Sequence, residues 1–156
     1  MKLAPHRSIT FWSGLLVMAF IVWAWRDSMR HSSWATNSQI ALTNEAGALW
    51  FSHHGDGATI PTGSARYQLK RTDLNANWPP LKVLPPLCFV RGSYEPDLDY
   101  DSVDSYLDLT VQSYKVLPEN WWVLMIPHWL ILLTVAALWL TLLFWRARRR
   151  KRVVTP

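Results

Sequence analysis

The stretch IPHWLILLTVAALWLTLLFWRARRRKR, residues 126–152, decides the architecture of this chain. Residues 126–145 hold no acid and no Lys or Arg, and at about 1.5 Å of rise each they form a helix that covers the ~30 Å hydrocarbon core of a bilayer. Eleven of them are Leu, Ile, Val or Phe. At roughly −0.3 to −0.6 kcal/mol each, they favour insertion by about 3 to 7 kcal/mol. Pro127 and His128 fall in the first turn, where a proline breaks no intrahelical bond and an imidazole reaches interfacial water, so they mark the helix entrance. Arg146, Arg148, Arg149, Arg150, Lys151 and Arg152 follow immediately. Bases beside a span are retained on the cytoplasmic side, where they also contact anionic lipid, and this predicts a cytoplasmic C-terminus.

A second uncharged segment, residues 9–25, lies at the other end. It is near the short limit for a span, and Val22-Trp23-Ala24 leaves cleavage as a signal peptide as the alternative to an uncleaved anchor. Trp12, Trp23 and Trp25 around it, and Trp121, Trp122, Trp129 and Trp145 around the second span, match the aromatic belts of permanent membrane helices. Lys2 and Arg7 place the N-terminus inside as well, with Arg26 and Arg30 the dissenting charges. The expected organisation is a cytoplasmic N-terminus (1–8), a transmembrane helix (9–25), an extracytoplasmic β-rich domain (26–125), a second transmembrane helix (126–145) and a basic cytoplasmic tail (146–156).

Charge follows the same division. All eleven carboxylates of the chain lie in residues 27–119 against seven bases, a formal −4, so the overall +5 belongs to the ends. The high pI therefore reports topology, and no nucleic-acid partner is expected: no aromatic residues interleave with the arginine cluster. In a two-membrane bacterium the tail sits under the inner membrane and the domain is periplasmic.

Within the domain, a period-two pattern from Ser32 onward puts Trp34, Ile40 and Leu42 on one face, and Ala35, Asn37, Gln39 and Thr43 on the other. Asn44-Glu45-Ala46-Gly47 suits a type I turn, and residues 48–54 return as the second strand of a hairpin. A short strand is expected at residues 66–71, with Tyr67 and Leu69 facing one way. Pro79-Pro80 and Pro85-Pro86 make residues 78–87 an extended connector, and the alternation of Leu107, Leu109 and Val111 predicts another strand. Residues 121–126 read as a last strand running straight into the second helix, a sheet resting on the bilayer. With no convincing amphipathic helix, the fold class is a membrane α protein with a small, mostly-β extracytoplasmic domain between its two helices. So small a core suggests help from the membrane, a partner or a second copy. Cys88 is the sole cysteine, so no intrachain disulfide forms, and it reads as a small core residue beside Phe89 and Val90.

Candidate chemistry is sparse. Asp97, Asp99 and Asp101 stand at the first, third and fifth positions of a calcium-type loop, but its turn glycine is Ser102 and its closing glutamate is Asp108, so a solvated acidic loop competes with a weak metal site. His53 and His54, with Asp56 and His31, offer an acid/base or metal pair, although adjacent strand residues point to opposite faces. Ser64 and Ser93 have neighbouring glycines but no nucleophile-elbow pattern, and there is no phosphate loop or dinucleotide fingerprint. Neither catalysis nor a cofactor is expected. Thr134, Ala137 and Thr141 form a small-residue face that could receive Gly14 of the first helix, and no Asp, Glu, Lys or Arg lies inside either span to mark an ion pathway.

The short N-terminal span, the Ser33-Trp34 strand, the Gly47 hairpin and the ending Ile126-Pro127-His128-Trp129 through a Leu-rich helix into an Arg-rich tail resemble a class of uncharacterised bacterial two-pass membrane proteins. Several relatives of this kind continue into a small Cys-rich zinc ribbon after the arginines. This chain ends at Pro156, so no ribbon is carried over, and the resemblance implies topology without an activity. The sequence thus points to a non-enzymatic envelope or interaction protein of the bacterial inner membrane. Its expected partners are the lipid bilayer and a membrane or periplasmic protein or a second copy of itself. A ligand- or calcium-sensing accessory subunit is the alternative.

Overall fold

The computed structural model describes residues 9–55, 61–68, 84–94 and 105–152. Two long helices, α1 (Ile9–Ser28) and α3 (His128–Arg152), flank β1 (His31–Thr36), β2 (Ile40–Glu45), β3 (Ala48–His53), β4 (Gly63–Gln68), β5 (Cys88–Arg91), α2 (Tyr106–Lys115) and β6 (Trp122–Pro127). The strands form one antiparallel sheet in the order β4-β1-β2-β3-β6-β5, so β6, last in sequence, lies between β3 and β5. Among the described residues α1 and the first twenty-two residues of α3, His128–Arg149, are long and apolar enough to cross a membrane. Both run beyond their sequence-predicted lengths. α1 continues through Arg26 and Asp27, and α3 begins at His128, not at Ile126, because Ile126 and Pro127 pair with Leu49 and Ala48 as the end of β6.

The helices pack on each other through Gly14, where a Cβ would overlap the Trp139 indole. The Trp139 Nε1–H donates to the Thr10 carbonyl at 3.1 Å, and Arg146 donates to the Thr10 hydroxyl. This corrects the expectation that Gly14 meets the Thr134, Ala137 and Thr141 face. Those three side chains are exposed, and both threonine hydroxyls instead bond back to carbonyls one turn earlier in α3.

Between the helices sits the β2–β3 turn. Ala46 and Gly47 both have positive φ, 54° and 79°, so the hairpin closes through a two-residue type I′ turn after the Glu45–Ala48 pair, and not through the type I turn over residues 44–47. The reason is twist: the primed turn matches the right-handed coil of the strands it joins. The turn is held at both helix ends. The Ala46 N–H donates to the Ser28 carbonyl at 2.9 Å, the Gly47 N–H to Ser28 Oγ at 3.2 Å, and the His128 N–H to the Gly47 carbonyl at 3.1 Å. Terminal groups that a helix cannot satisfy internally are thus satisfied by the hairpin tip. Only Met29 and Arg30 separate α1 from β1, and no residue separates β6 from α3.

The first expected strand is in fact two. Asn37 Oδ1 accepts from the Gln39 and Ile40 N–H groups at 3.0 and 2.8 Å, an Asx-type turn that ends β1 and starts β2. Trp34 therefore pairs with Thr43, and Thr43 with Trp50, on one sheet face, while Ile40 and Leu42 lie on the other. β4 begins at Gly63, earlier than expected, and Leu69 to Arg71 lie outside the described residues, as do Pro79 and Pro80 of the proline run.

Leu107, Leu109 and Val111 belong to a helix. Ser105 caps α2: its Oγ accepts from the Asp108 N–H and donates to the Asp108 carboxylate at 2.5 Å. With that start, Leu107, Val111 and Tyr114 fall at i, i+4 and i+7 and face the sheet. They close a core of Ala48, Trp50, Val90, Val123 and Met125, with Cys88 half-buried at its edge. The opposite sheet face carries a row of Leu42, Phe51, Leu124 and Phe89 across four strands, the last 61 % exposed.

Candidate ligand pocket on the sheet

α2 is only ten residues long and covers the β5, β6 and β3 side of its face. Over β1 and β2 the same face is left as a concave pocket of about 230 Å³. Its floor follows from strand alternation. Glu45 ends β2 on the α2 side, and it is 9 % exposed. Ser32 Oγ, from β1, donates to Glu45 Oε2 at 2.5 Å, and the Trp50 indole N–H donates to the Glu45 carbonyl at 3.0 Å. Both the position of the carboxylate and the backbone beneath it are therefore fixed.

Aromatic side chains surround that floor. Trp34 and Trp50 flank Thr43 in one register row, which at ~4.8 Å per strand places their backbones about 10 Å apart. Tyr67 stands opposite Ser32 on the edge strand β4, and Tyr114 overhangs from α2. Burial pushes the Tyr114 phenol above its ordinary range, and a hydrogen bond with Ser52 works against that rise. The Tyr114 phenol therefore stays neutral at physiological pH and acts as a hydroxyl. None of the described residues lining the pocket is basic. One carboxylate, aromatic faces and neutral hydroxyls suit a cationic group, while an anion would meet the Glu45 charge with no Lys or Arg to offset it.

The residues singled out in the sequence fall elsewhere. Asp97, Asp99, Asp101 and Asp56 lie outside the described residues, and Asp108 serves the α2 cap. His53 and His54 point to opposite faces: His53 stacks on Trp122 at 5.8 Å with its Nδ1 against the Asn120 carbonyl, and His54 meets the edge of Trp121. Burial, and then the neighbouring His53, lower the His54 pKa. His31 does not join them. It lies at the opposite end of the sheet, 3.0 Å from Asp27, which also accepts from Arg66 at 2.6 Å. Among the described residues no three His, Cys, Asp or Glu side chains form a metal-binding group. Ser64 is exposed on β4, and Ser93 donates to the Lys115 carbonyl. Burial and the Asp108 carboxylate raise the Cys88 thiol, which keeps it protonated and unreactive.

Of the aromatic anchors, Trp12, Trp23 and Trp145 are exposed on the long helices, while Trp25 and Trp129 are half-buried beside the β2–β3 turn, Trp129 donating to the Pro85 carbonyl at 2.8 Å. Trp121 and Trp122 do not bracket α3. The six residues of β6 hold them about 20 Å away, at the far end of the sheet. Arg148 and Arg149 lie over the Phe144 and Trp145 rings. Arg150, Lys151 and Arg152 continue the helix.

Glu45, Trp34 and Trp50 are the site residues that sequence reading passed over, Glu45 as a turn residue and the tryptophans as strand residues. One signal was present: Glu45 is the sole acid between Asp27 and Asp56, and it sits two positions after Thr43 and five before Trp50 in a stretch otherwise reading as strand. No protein-family model, no curated protein and no solved structure matches this chain.

Proposed function

We propose that the chain is a two-pass, non-enzymatic protein of the bacterial inner membrane, with both termini cytoplasmic, whose extracytoplasmic domain holds the cationic group of a ligand or partner over Glu45. The observation that carries this reading is the buried Glu45 carboxylate, fixed by Ser32 among Trp34, Trp50, Tyr67 and Tyr114. An ammonium or guanidinium over aromatic faces gains cation–π attraction of about 0.5–2 kcal/mol per ring, and the carboxylate adds a charge-assisted bond. At about 230 Å³ the pocket is below the ~300 Å³ of drug-sized sites and suits one headgroup or one side chain. The spans and their orientation are supported by the two apolar helices and by the basic residues at their outer ends.

The test uses the full-length chain in detergent micelles, titrated with tetramethylammonium and with methylguanidinium while tryptophan fluorescence is followed. A saturable response is expected for the cations and none for acetate. Glu45→Gln should weaken it about tenfold or more, and Trp34→Phe should reduce its amplitude. An unchanged response in Glu45→Gln refutes the pocket. Reporter fusions after Arg30 and after Arg152 test the topology separately: an inside domain refutes the two-span reading.

A further inference from the structure

A second cavity, of about 340 Å³, lies where α1 and α3 meet the sheet face opposite α2. Its lower walls are apolar: Phe20, Ile21, Trp23 and Ala24 of α1 and Ile131 of α3. Its upper rim is polar, formed by Asp27, Ser33, Asn44, Arg66 and His128. We propose that this cavity holds one lipid of the outer leaflet by a zwitterionic phosphate–amine headgroup, an inference that rests on the two-span reading.

Depth supports the assignment. Phe20 lies eight residues before the end of α1, about 12 Å along its axis, and Ile131 one turn inside α3. In a bilayer whose half-thickness is about 15 Å, the apolar walls reach into the outer-leaflet chains and the polar rim meets the headgroups.

The rim also contains a group that lacks a partner: the Asn44 side-chain oxygen is buried with nothing within hydrogen-bonding geometry. Buried polar groups are rarely left bare, so the rim is built to be completed by something. Asn44 Oδ1 requires a donor, which an ammonium supplies. Arg66 is half-exposed, spends one donor on Asp27 Oδ1 and keeps others in its planar fork, the geometry that suits a phosphate. Asp27, covered by His31 and Arg66, fixes the guanidinium at the rim, so Arg66 meets the phosphate while the Asn44 oxygen meets the amine. The apolar lower half has no use for a free phosphate or amine and gives the lipid its advantage over either.

Native mass spectrometry of the full-length chain, released from nanodiscs containing equal amounts of phosphatidylethanolamine and phosphatidylglycerol, tests this. One phosphatidylethanolamine per chain should be retained, in about tenfold preference. Ala24→Phe, which fills the apolar half, and Arg66→Gln, which removes the phosphate donor, should each lower retention about tenfold or more with helix content unchanged by circular dichroism. Leu138→Phe, on the 64 % exposed outer side of α3, should leave it unchanged. Retention that is absent in the wild type, equal for both lipids, or equal in Ala24→Phe overturns the proposal. So does equal protection by soluble glycerophosphoethanolamine, which would make this a headgroup site without a lipid. The reporter fusions separate the two failures: an outside domain with no retained lipid refutes this inference alone.

Discussion

Ser28→Ala tests the clamp on which the relation of helices to sheet depends. Ser28 is fully buried, and its Oγ donates to the Trp25 carbonyl at 2.7 Å while accepting from the Gly47 N–H at 3.2 Å. After the substitution the Trp25 carbonyl keeps the Met29 N–H at 3.3 Å, but the Gly47 N–H, in a buried turn, loses this acceptor. A buried donor without a partner costs about 1–3 kcal/mol, against a few tenths for an exposed hydroxyl. The expected readout is local. Hydrogen exchange at the Ala46, Gly47 and His128 amides should accelerate by about 5- to 150-fold, because each 1.4 kcal/mol is a factor of ten in the opening equilibrium. Ser13→Ala is the control, since the Ser13 hydroxyl makes the same backward bond, to the Thr10 carbonyl at 3.2 Å, at an exposed site with no strand above it. If Ser28→Ala leaves those amides as protected as Ser13→Ala does, the turn is held by something other than this hydroxyl and the clamp is wrong.

Three further outcomes are expected. Ser105→Ala removes the α2 cap and should destabilise the domain by about 1 kcal/mol, read as lost protection of the Asp108 and Leu109 amides, with Asp108→Asn causing a smaller loss. His54 has a folded-state pKa below its unfolded value, so the unfolded chain binds the extra proton first. Its contribution is therefore harmless above the unfolded pKa and costs stability as pH falls through about 6.5, and His54→Asn should flatten the loss between about pH 7 and 5 in thermal melts. Gly14→Leu drives a side chain into the Trp139 indole and should lower stability in thermal melts by about 1–3 kcal/mol, whereas Ala19→Leu on the exposed side of α1 should not.

The long helices were legible because they needed only local information: runs without charge, closed by Arg26 at one end and Arg146 at the other. The β2–β3 hairpin and the run of β6 into α3 were legible for a similar reason, since alternation and the Gly47 turn are written in neighbouring residues. The errors came where two local patterns coincide. Leu107, Leu109 and Val111 satisfy a period of two, but Leu107 and Val111 equally satisfy i, i+4, and the Ser105–Asp108 cap decides for the helix. Likewise Asn37 looked like one more outward strand residue until its side chain was seen to turn the chain, which moved Ile40 and Leu42 to the face opposite Trp34. The Glu45 pocket was illegible because it is assembled from β1, β2, β3, β4, β6 and α2, and no stretch of sequence contains it.

The placement of β6 governs the order in which this molecule can be made. β1 to β4 pair among themselves and can zip up in chain order, whereas β5 has a single neighbour, β6, and waits bare-edged until residue 127 arrives. The next residue after that strand is already the first of α3. Closing the sheet and seating the final helix are consequently one event in biosynthesis. A chain stalled or truncated before Trp122 would lack β6 and leave the facing edges of β3 and β5 unpaired.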